Sequence, residues 1–240
     1  MADTLYLSLW YPNLRLEGLP DKLMAVLGAF APHGGEGRVY SATVWPVDWS
    51  ESPVFQRIYG RGGEGSERGA EPRQAVAEAL ELLHDDYAYE FQIGWDLWEL
   101  ETEDNREGAK ANAGPSTRPP SGGLAQDDGL GLSEQEGGSS GRWARGPRLV
   151  RVTGFGPLFD EGCYEQDGHI RIDFGSDAPF LEEDADLGRV GARHIEENVR
   201  QLVELTAAIE KTSGATARLL WSELGESLAA RLAERLGMRN

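Results

Sequence analysis

Three polar residues at alternate positions of one predicted strand have the types that chemistry requires. His169, Arg171 and Asp173 alternate with large apolar residues, so their side chains are expected to project from one face of the strand. A base, an anion-binding guanidinium and a carboxylate suit hydrolysis or phosphoryl chemistry. A half-buried strand with a solvated face and a surface charge pair shows the same alternation, and we favour that interpretation.

A group of carboxylates is a second candidate site. Its members are Asp177, Glu182, Glu183, Asp184 and Asp186. Ca²⁺ and Mg²⁺ take oxygen ligands of this type, so a metal site is one interpretation. The spacing lacks the Asp-x-Asp-x-Asp-Gly order of an EF-hand loop and includes no His or Cys for zinc. A solvated acidic loop that leads into the next helix is therefore favoured.

Motifs for nucleophilic catalysis and phosphate binding are weak in this chain. Cys163 could pair with His169 or His194, but a lone cysteine is more often an inert small hydrophobic residue. The one Gly-x-Ser-x-Gly match, residues 137–141, lies in the Gly/Pro/Ser-rich tract, and the one Gly-x-Gly-x-x-Gly match, residues 60–65, does not directly join a predicted strand to a predicted helix. No Gly-rich stretch continues into Gly-Lys-Ser/Thr. We therefore expect no cofactor.

The net negative charge is concentrated in two blocks. Residues 74–105 contain ten Asp and Glu and no Lys or Arg, and residues 157–188 contain ten against the single Arg171. Because the whole chain has a formal net charge of −18, these blocks at −10 and −9 leave the remainder at +1. A local field of this kind attracts a basic partner, whereas evenly spread charge mainly favours solubility.

Composition excludes several classes of partner. The pI near 4.6 and the absence of a basic stripe argue against binding to nucleic acid or to an anionic membrane surface. No apolar run has the length of a membrane span, and the first residues do not resemble a signal peptide. A single cysteine fits a reducing compartment. We expect a cytoplasmic protein, and the sequence does not indicate its oligomeric state.

The acidic strand before the long Gly/Pro/Ser-rich tract supplies the candidate residues for partner binding. Its alternation of apolar and polar residues reverses after Leu97, which predicts a β-bulge near Leu97 and Trp98. A bulge would re-aim Trp98 within the acidic field. The candidates are Glu90, Asp96, Trp98, Glu99 and Glu101. Trp45 and Trp49 are also possible exposed aromatic anchors, although tryptophans more often build cores.

Periodicity predicts a mixed order of strands and helices. The predicted strands cover 5–11, 39–47, 87–100, 149–155, 169–174 and 217–221. The predicted helices begin near Pro20, Pro72, Ile195 and Leu224. Alternation of this kind predicts an α+β fold with a mixed, largely antiparallel sheet and helices mainly on one face. Two ferredoxin-like halves that share one sheet are one possible arrangement.

The tract itself divides the chain. Residues 103–146 carry few large apolar side chains and are predicted to be a disordered Gly/Pro/Ser-rich insertion. Residues 1–102 and 147–240 are then the two parts of a single domain. The strand before the tract and the two after it are expected to form an antiparallel meander.

The sequence leaves three hypotheses of function open. The favoured hypothesis is a non-enzymatic protein-binding module, inhibitor-like or immunity-like, that docks a basic protein through its acidic face. The alternative is a hydrolase or metal-dependent enzyme that uses the 169–173 face or the 177–186 carboxylates. A subunit of a larger assembly, with the tract as a tether, is a third hypothesis.

Overall fold

The computed structural model describes residues 3–35, 37–60, 69–101, 142–181 and 188–222, with Glu101 described in its backbone alone. The strands are β1 Thr4–Trp10, β2 Val39–Pro46, β3 Phe55–Ile58, β4 Tyr87–Glu101, β5 Arg142–Phe155, β6 Ile170–Ser176 and β7 Ala217–Ser222. The helices are α1 Leu19–Gly28, α2 Pro72–Ala79, α3 Tyr164–Asp167, α4 Ala178–Leu181 and α5 Gly188–Ser213.

These strands form one sheet in the order β3-β2-β4-β5-β6-β1-β7, and every neighbouring pair is antiparallel. The predicted α+β class and the meander of β4, β5 and β6 are confirmed. Two strand–helix–strand crossovers each enclose one strand: β3 and β4 enclose β2, and β6 and β7 enclose β1. Because β1 completes the second of these units, the sheet does not divide into two consecutive halves.

Helices α1, α2 and α5 cover one face of the sheet, which we call the helix face. Apolar residues at helical spacing, such as Ile195, Val199 and Leu202 of α5, are fully buried or nearly so against the strands. Trp95 of β4 lies at the centre of this core and contacts Phe174 at a ring distance of 5.4 Å. Burial of such large side chains is the main source of stability in a core of this kind.

The predicted bulge near Leu97 and Trp98 is wrong. Strands β4 and β5 pair in continuous register through this region, with Leu97 opposite Gly146 and Trp98 opposite Arg145. The apolar pattern changes because Trp98 stacks on His194 of α5, at a ring distance of 3.9 Å, and not because the register slips. Register shifts occur in the described sheet between Leu5 and Tyr6 and between Val39 and Ser41.

The beginning of β5 corrects the predicted limit of the insertion. The strand starts at Arg142, within the segment 103–146 that was predicted to be disordered. Residues 142–146 are ordered because they pair with the end of β4, and because Trp143 packs against the main core. Residues 103–141 lie outside the described residues, as does the predicted last helix near Leu224.

In the part of the chain that the structure describes, no helix is both long enough and apolar enough to cross a membrane.

Candidate functional site

The face of the sheet opposite α1, α2 and α5, which we call the open face, carries two rows of polar residues. Glu90 of β4 lies opposite Thr153 of β5, and Thr153 lies opposite Arg171 of β6. Two positions further along, Arg151 lies opposite Asp173. Because side chains alternate between the faces of a strand, all five project to the open face.

These residues line an open depression of about 300 Å³. Its lining consists of Tyr6, Trp49, Glu90, Arg151, Thr153, Arg171 and Asp173. The depression therefore brings together Arg171 and Asp173 from the predicted catalytic trio and Glu90 from the predicted partner-binding set. A volume of this size accommodates one small ligand or one side chain of a partner.

Both arginines of the depression have acidic partners. Arg151 forms an ion pair with Asp173, whose other carboxylate oxygen accepts a hydrogen bond of 2.7 Å from the backbone N–H of Gly175. Arg171 forms an ion pair with Asp167 at the end of α3. The positive charges in the lining are thus already compensated.

Glu90 differs from the other charged residues of the lining. Neither a hydrogen bond nor an ion pair from the described residues reaches its side chain. Burial raises the pKa of Glu90 above the ordinary value for a glutamate. The charge of Arg151 opposes this shift, Asp173 adds to it and Arg171 opposes it. Glu90 is therefore a partly buried carboxylate that forms no ion pair with a described residue, although the charges of Arg151 and Arg171 act on it.

Two aromatic residues, Tyr6 and Trp49, contribute to the lining of the depression. Trp49 packs edge-on against Phe155 and Phe159, with ring distances of 6.1 and 5.1 Å, while 37% of its surface stays exposed. The loop that carries Trp49 is held by Asp48, whose carboxylate accepts hydrogen bonds from the backbone N–H and hydroxyl of Ser50. Of the tryptophans singled out in the sequence, Trp49 is the one that lines the depression.

His169 does not join Arg171 and Asp173. It lines a separate cavity of about 60 Å³ with apolar neighbours that include Leu16 and Phe155. Its Nδ1 accepts a hydrogen bond of 3.2 Å from the backbone N–H of Tyr11, and burial lowers the pKa of His169. The predicted trio is therefore split between two sites, and the neutral imidazole ties the end of β1 to the start of β6.

Of the carboxylates predicted to bind a metal, Asp177 is the one that lies among the described residues. Asp177 is buried, and its Oδ1 accepts a hydrogen bond of 2.9 Å from the backbone N–H of Asp3. This contact ties the first described residues to the segment after β6. Glu182, Glu183, Asp184 and Asp186 lie outside the described residues. Within the described ranges, no three His, Cys, Asp or Glu residues are grouped closely enough to hold a metal ion.

The other predicted partner-binding residues lie away from the depression. Asp96 lies further along the open side of β4, Trp98 is stacked on His194, and Glu99 pairs with Arg148 at 2.9 Å. The side chain of Glu101 is outside the described part of the structure. Of this set, Glu90 alone belongs to the lining of the depression.

Sequence patterns did not single out Tyr6, Arg151 or Thr153 as site residues. Arg151 and Thr153 alternate with Val150 and Val152, which is the signal that could have placed them on a polar face. The position of that face beside Glu90 depends on strand order, which a single sequence does not supply.

Comparisons with protein-family models, with curated proteins and with solved structures find no match to this chain.

Proposed function

We propose that this protein is a binding module that docks a basic partner protein on its open face, with a positively charged side chain of the partner entering the depression beside Glu90. The observation that carries this proposal is the charge balance of the lining. Arg151 and Arg171 each form an ion pair with an acidic residue, whereas Glu90 forms no ion pair with a basic residue among the described residues and feels the two guanidinium charges only at longer range. A cation at Glu90 would complete the balance.

Burial of the site supports the same proposal. A charged group that is partly removed from water gains more from a cation than an exposed group does, because screening by solvent is weaker. The exposed edge of Trp49 adds an aromatic surface of the type that anchors interfaces. The acidic blocks 74–105 and 157–188 would raise the rate of association with a basic partner and make it sensitive to salt.

A protein is favoured over a nucleic acid as the partner, because the unbalanced charge of the site is negative. The cytoplasmic location expected from the sequence is part of this proposal, and the free thiol of Cys163 is consistent with it.

The hydrolase alternative has less support from the geometry. His169, its expected base, lies in the separate small cavity and keeps its Nδ1 engaged with the backbone N–H of Tyr11. The hydroxyl of Thr153 in the depression has no imidazole beside it among the lining residues. Binding requires nothing beyond the charges and rings that line the depression.

A nuclear magnetic resonance titration tests the proposal. The probe is an octapeptide of alternating lysine and arginine, and the matched control is an octapeptide of alternating glutamate and aspartate. We expect the basic peptide to shift the backbone amide signals of Glu90, Thr153 and Asp173 and the acidic peptide to leave them unchanged. Shifts confined to the helix face, or equal shifts with both peptides, would contradict the proposal.

A further inference from the structure

We infer that the group accepted beside Glu90 is the guanidinium of an arginine side chain rather than the ammonium of a lysine, an inference that rests on the proposed docking function. The first observation is the pair of acceptors at this point. Glu90 and Thr153 are direct cross-strand partners on the open face. Side chains at such positions have Cβ atoms about 5 Å apart, so one bound group can reach both the carboxylate and the hydroxyl.

The geometry of the donors favours arginine at such a pair. A guanidinium presents five N–H groups in a planar fork and can donate to two neighbouring acceptors at once. An ammonium is a compact charge and gains less from a second acceptor at a fixed spacing. In the described structure, no hydrogen bond or ion pair engages the side chains of Glu90 and Thr153, so both are available to the incoming group.

The cost of removing water also favours arginine. The surroundings of Glu90 are buried enough to raise its pKa, so a cation that pairs with it must lose part of its hydration. A guanidinium is more weakly hydrated than an ammonium and loses less on entering such a site. Trp49, fixed by Phe155 and Phe159, offers an aromatic surface on which a planar guanidinium can stack.

The protein already contains one guanidinium in this kind of setting. Arg171 lies over the rings of Phe155 and Tyr6, with its guanidinium carbon 5.4 and 5.7 Å from the ring centroids, and pairs with Asp167. A carboxylate and aromatic rings thus hold an internal arginine at one end of the depression. Glu90 and Trp49 provide a carboxylate and an aromatic ring in the same way for an arginine of the partner.

Calorimetric titration with three blocked amino acids tests the inference. The probes are the N-acetyl methylamides of arginine, lysine and citrulline, the last being a neutral analogue of arginine. We expect arginine to bind at least about fivefold more tightly than lysine, and citrulline to give no measurable heat. In the nearly isosteric variant Thr153→Val, the preference for arginine over lysine should shrink towards unity while binding of both persists.

The outcomes separate this inference from the proposed function. Equal affinities for arginine and lysine, both reduced in Glu90→Gln, would overturn the inference and leave the docking proposal in place. Binding of neither cation would overturn the docking proposal and the inference with it. An unchanged preference for arginine in a folded Thr153→Val variant would show that the hydroxyl is not the second acceptor and would overturn that assignment.

Discussion

The side-chain amide of Asn198 hydrogen-bonds to both backbone polar groups of Trp98. Its Nδ2 donates to the carbonyl oxygen of Trp98 at 2.8 Å, and its Oδ1 accepts from the N–H of Trp98 at 3.0 Å. The pairing of β2 with β4 reaches Ile93, so the end of β4 has no strand on this side in the described structure. A helix side chain therefore takes the place of a neighbouring strand.

Replacement of Asn198 by Leu should destabilise the protein by about 2–4 kcal/mol, because the backbone groups of Trp98 lose their partners in a buried environment. Urea unfolding followed by tryptophan fluorescence measures this change. Arg200→Ala on the same helix is the control, since Arg200 forms an exposed ion pair with Glu196 and should cost less than about 1 kcal/mol. Equal losses in the two variants would contradict the role assigned to Asn198.

The strands that surround the site were largely predictable because their side-chain alternation is local. Tyr87 to Leu97 and Ile170 to Phe174 show it clearly, and both segments are strands in the structure. The short edge strand Phe55–Ile58 was not predicted, because most of its side chains are exposed and its sequence lacks a clear alternation of apolar and polar residues.

The depression was predictable only in parts. Glu90 was selected for its charge and Trp49 for its broken strand context, but nothing local connects either residue to Thr153 or Asp173. Their proximity follows from the order β4-β5-β6, which joins residues far apart in the chain. His169 was misplaced because alternation predicts a shared face but not the hydrogen bond that turns its ring towards Tyr11.

Two substitutions in the ion pair of the depression should change cation binding in opposite directions. Asp173→Asn leaves Arg151 without its counter-charge and should weaken binding of the basic octapeptide by about threefold to tenfold. Arg151→Gln leaves Asp173 without its counter-charge and should strengthen binding of the octapeptide by a similar factor. Calorimetry at low salt measures the dissociation constant of the octapeptide for each variant. Changes in the same direction would show that the charge balance of the depression does not determine affinity.

The raised pKa of Glu90 predicts that basic peptides bind less tightly as the pH falls. The carboxylate must be ionised to attract a cation, so affinity should be highest above the raised pKa and should decrease as the pH falls through it. Calorimetric titrations of the basic octapeptide into wild type and Glu90→Gln, at a series of pH values from neutral to acidic, measure the effect. A pH dependence that is identical in the two proteins would assign it to another group.

The same shift predicts the effect of Glu90 on stability. A carboxyl group whose pKa is raised by folding binds its proton more tightly in the folded state. Its contribution to stability is thus present below the unfolded pKa and is lost as the pH rises through the folded pKa. Glu90→Gln should therefore raise the midpoint of urea unfolding at neutral pH and have less effect at acidic pH. A variant that is less stable than wild type at neutral pH would contradict this prediction.

Cys163 should react slowly with thiol reagents in the folded protein. Burial raises the pKa of its thiol to about 12, with the charges of Asp167 and Asp160 adding to the shift and Arg171 opposing it. The thiolate that reacts is therefore scarce at neutral pH. Titration with a chromogenic disulfide reagent should give slow modification of the native protein and rapid modification in denaturant. Rapid modification of the native protein would show that the thiol is activated.

The central claim is that Glu90, and not the overall negative charge, binds a basic partner. Calorimetric titration of the Lys-Arg octapeptide into Glu90→Gln and Glu204→Gln tests it most directly. Both variants lose one negative charge, but Glu204 is an exposed residue of α5, which packs on the helix face. We expect the affinity for the octapeptide to fall by about tenfold or more in Glu90→Gln and to change by no more than about twofold in Glu204→Gln. Equal losses in the two variants would contradict it.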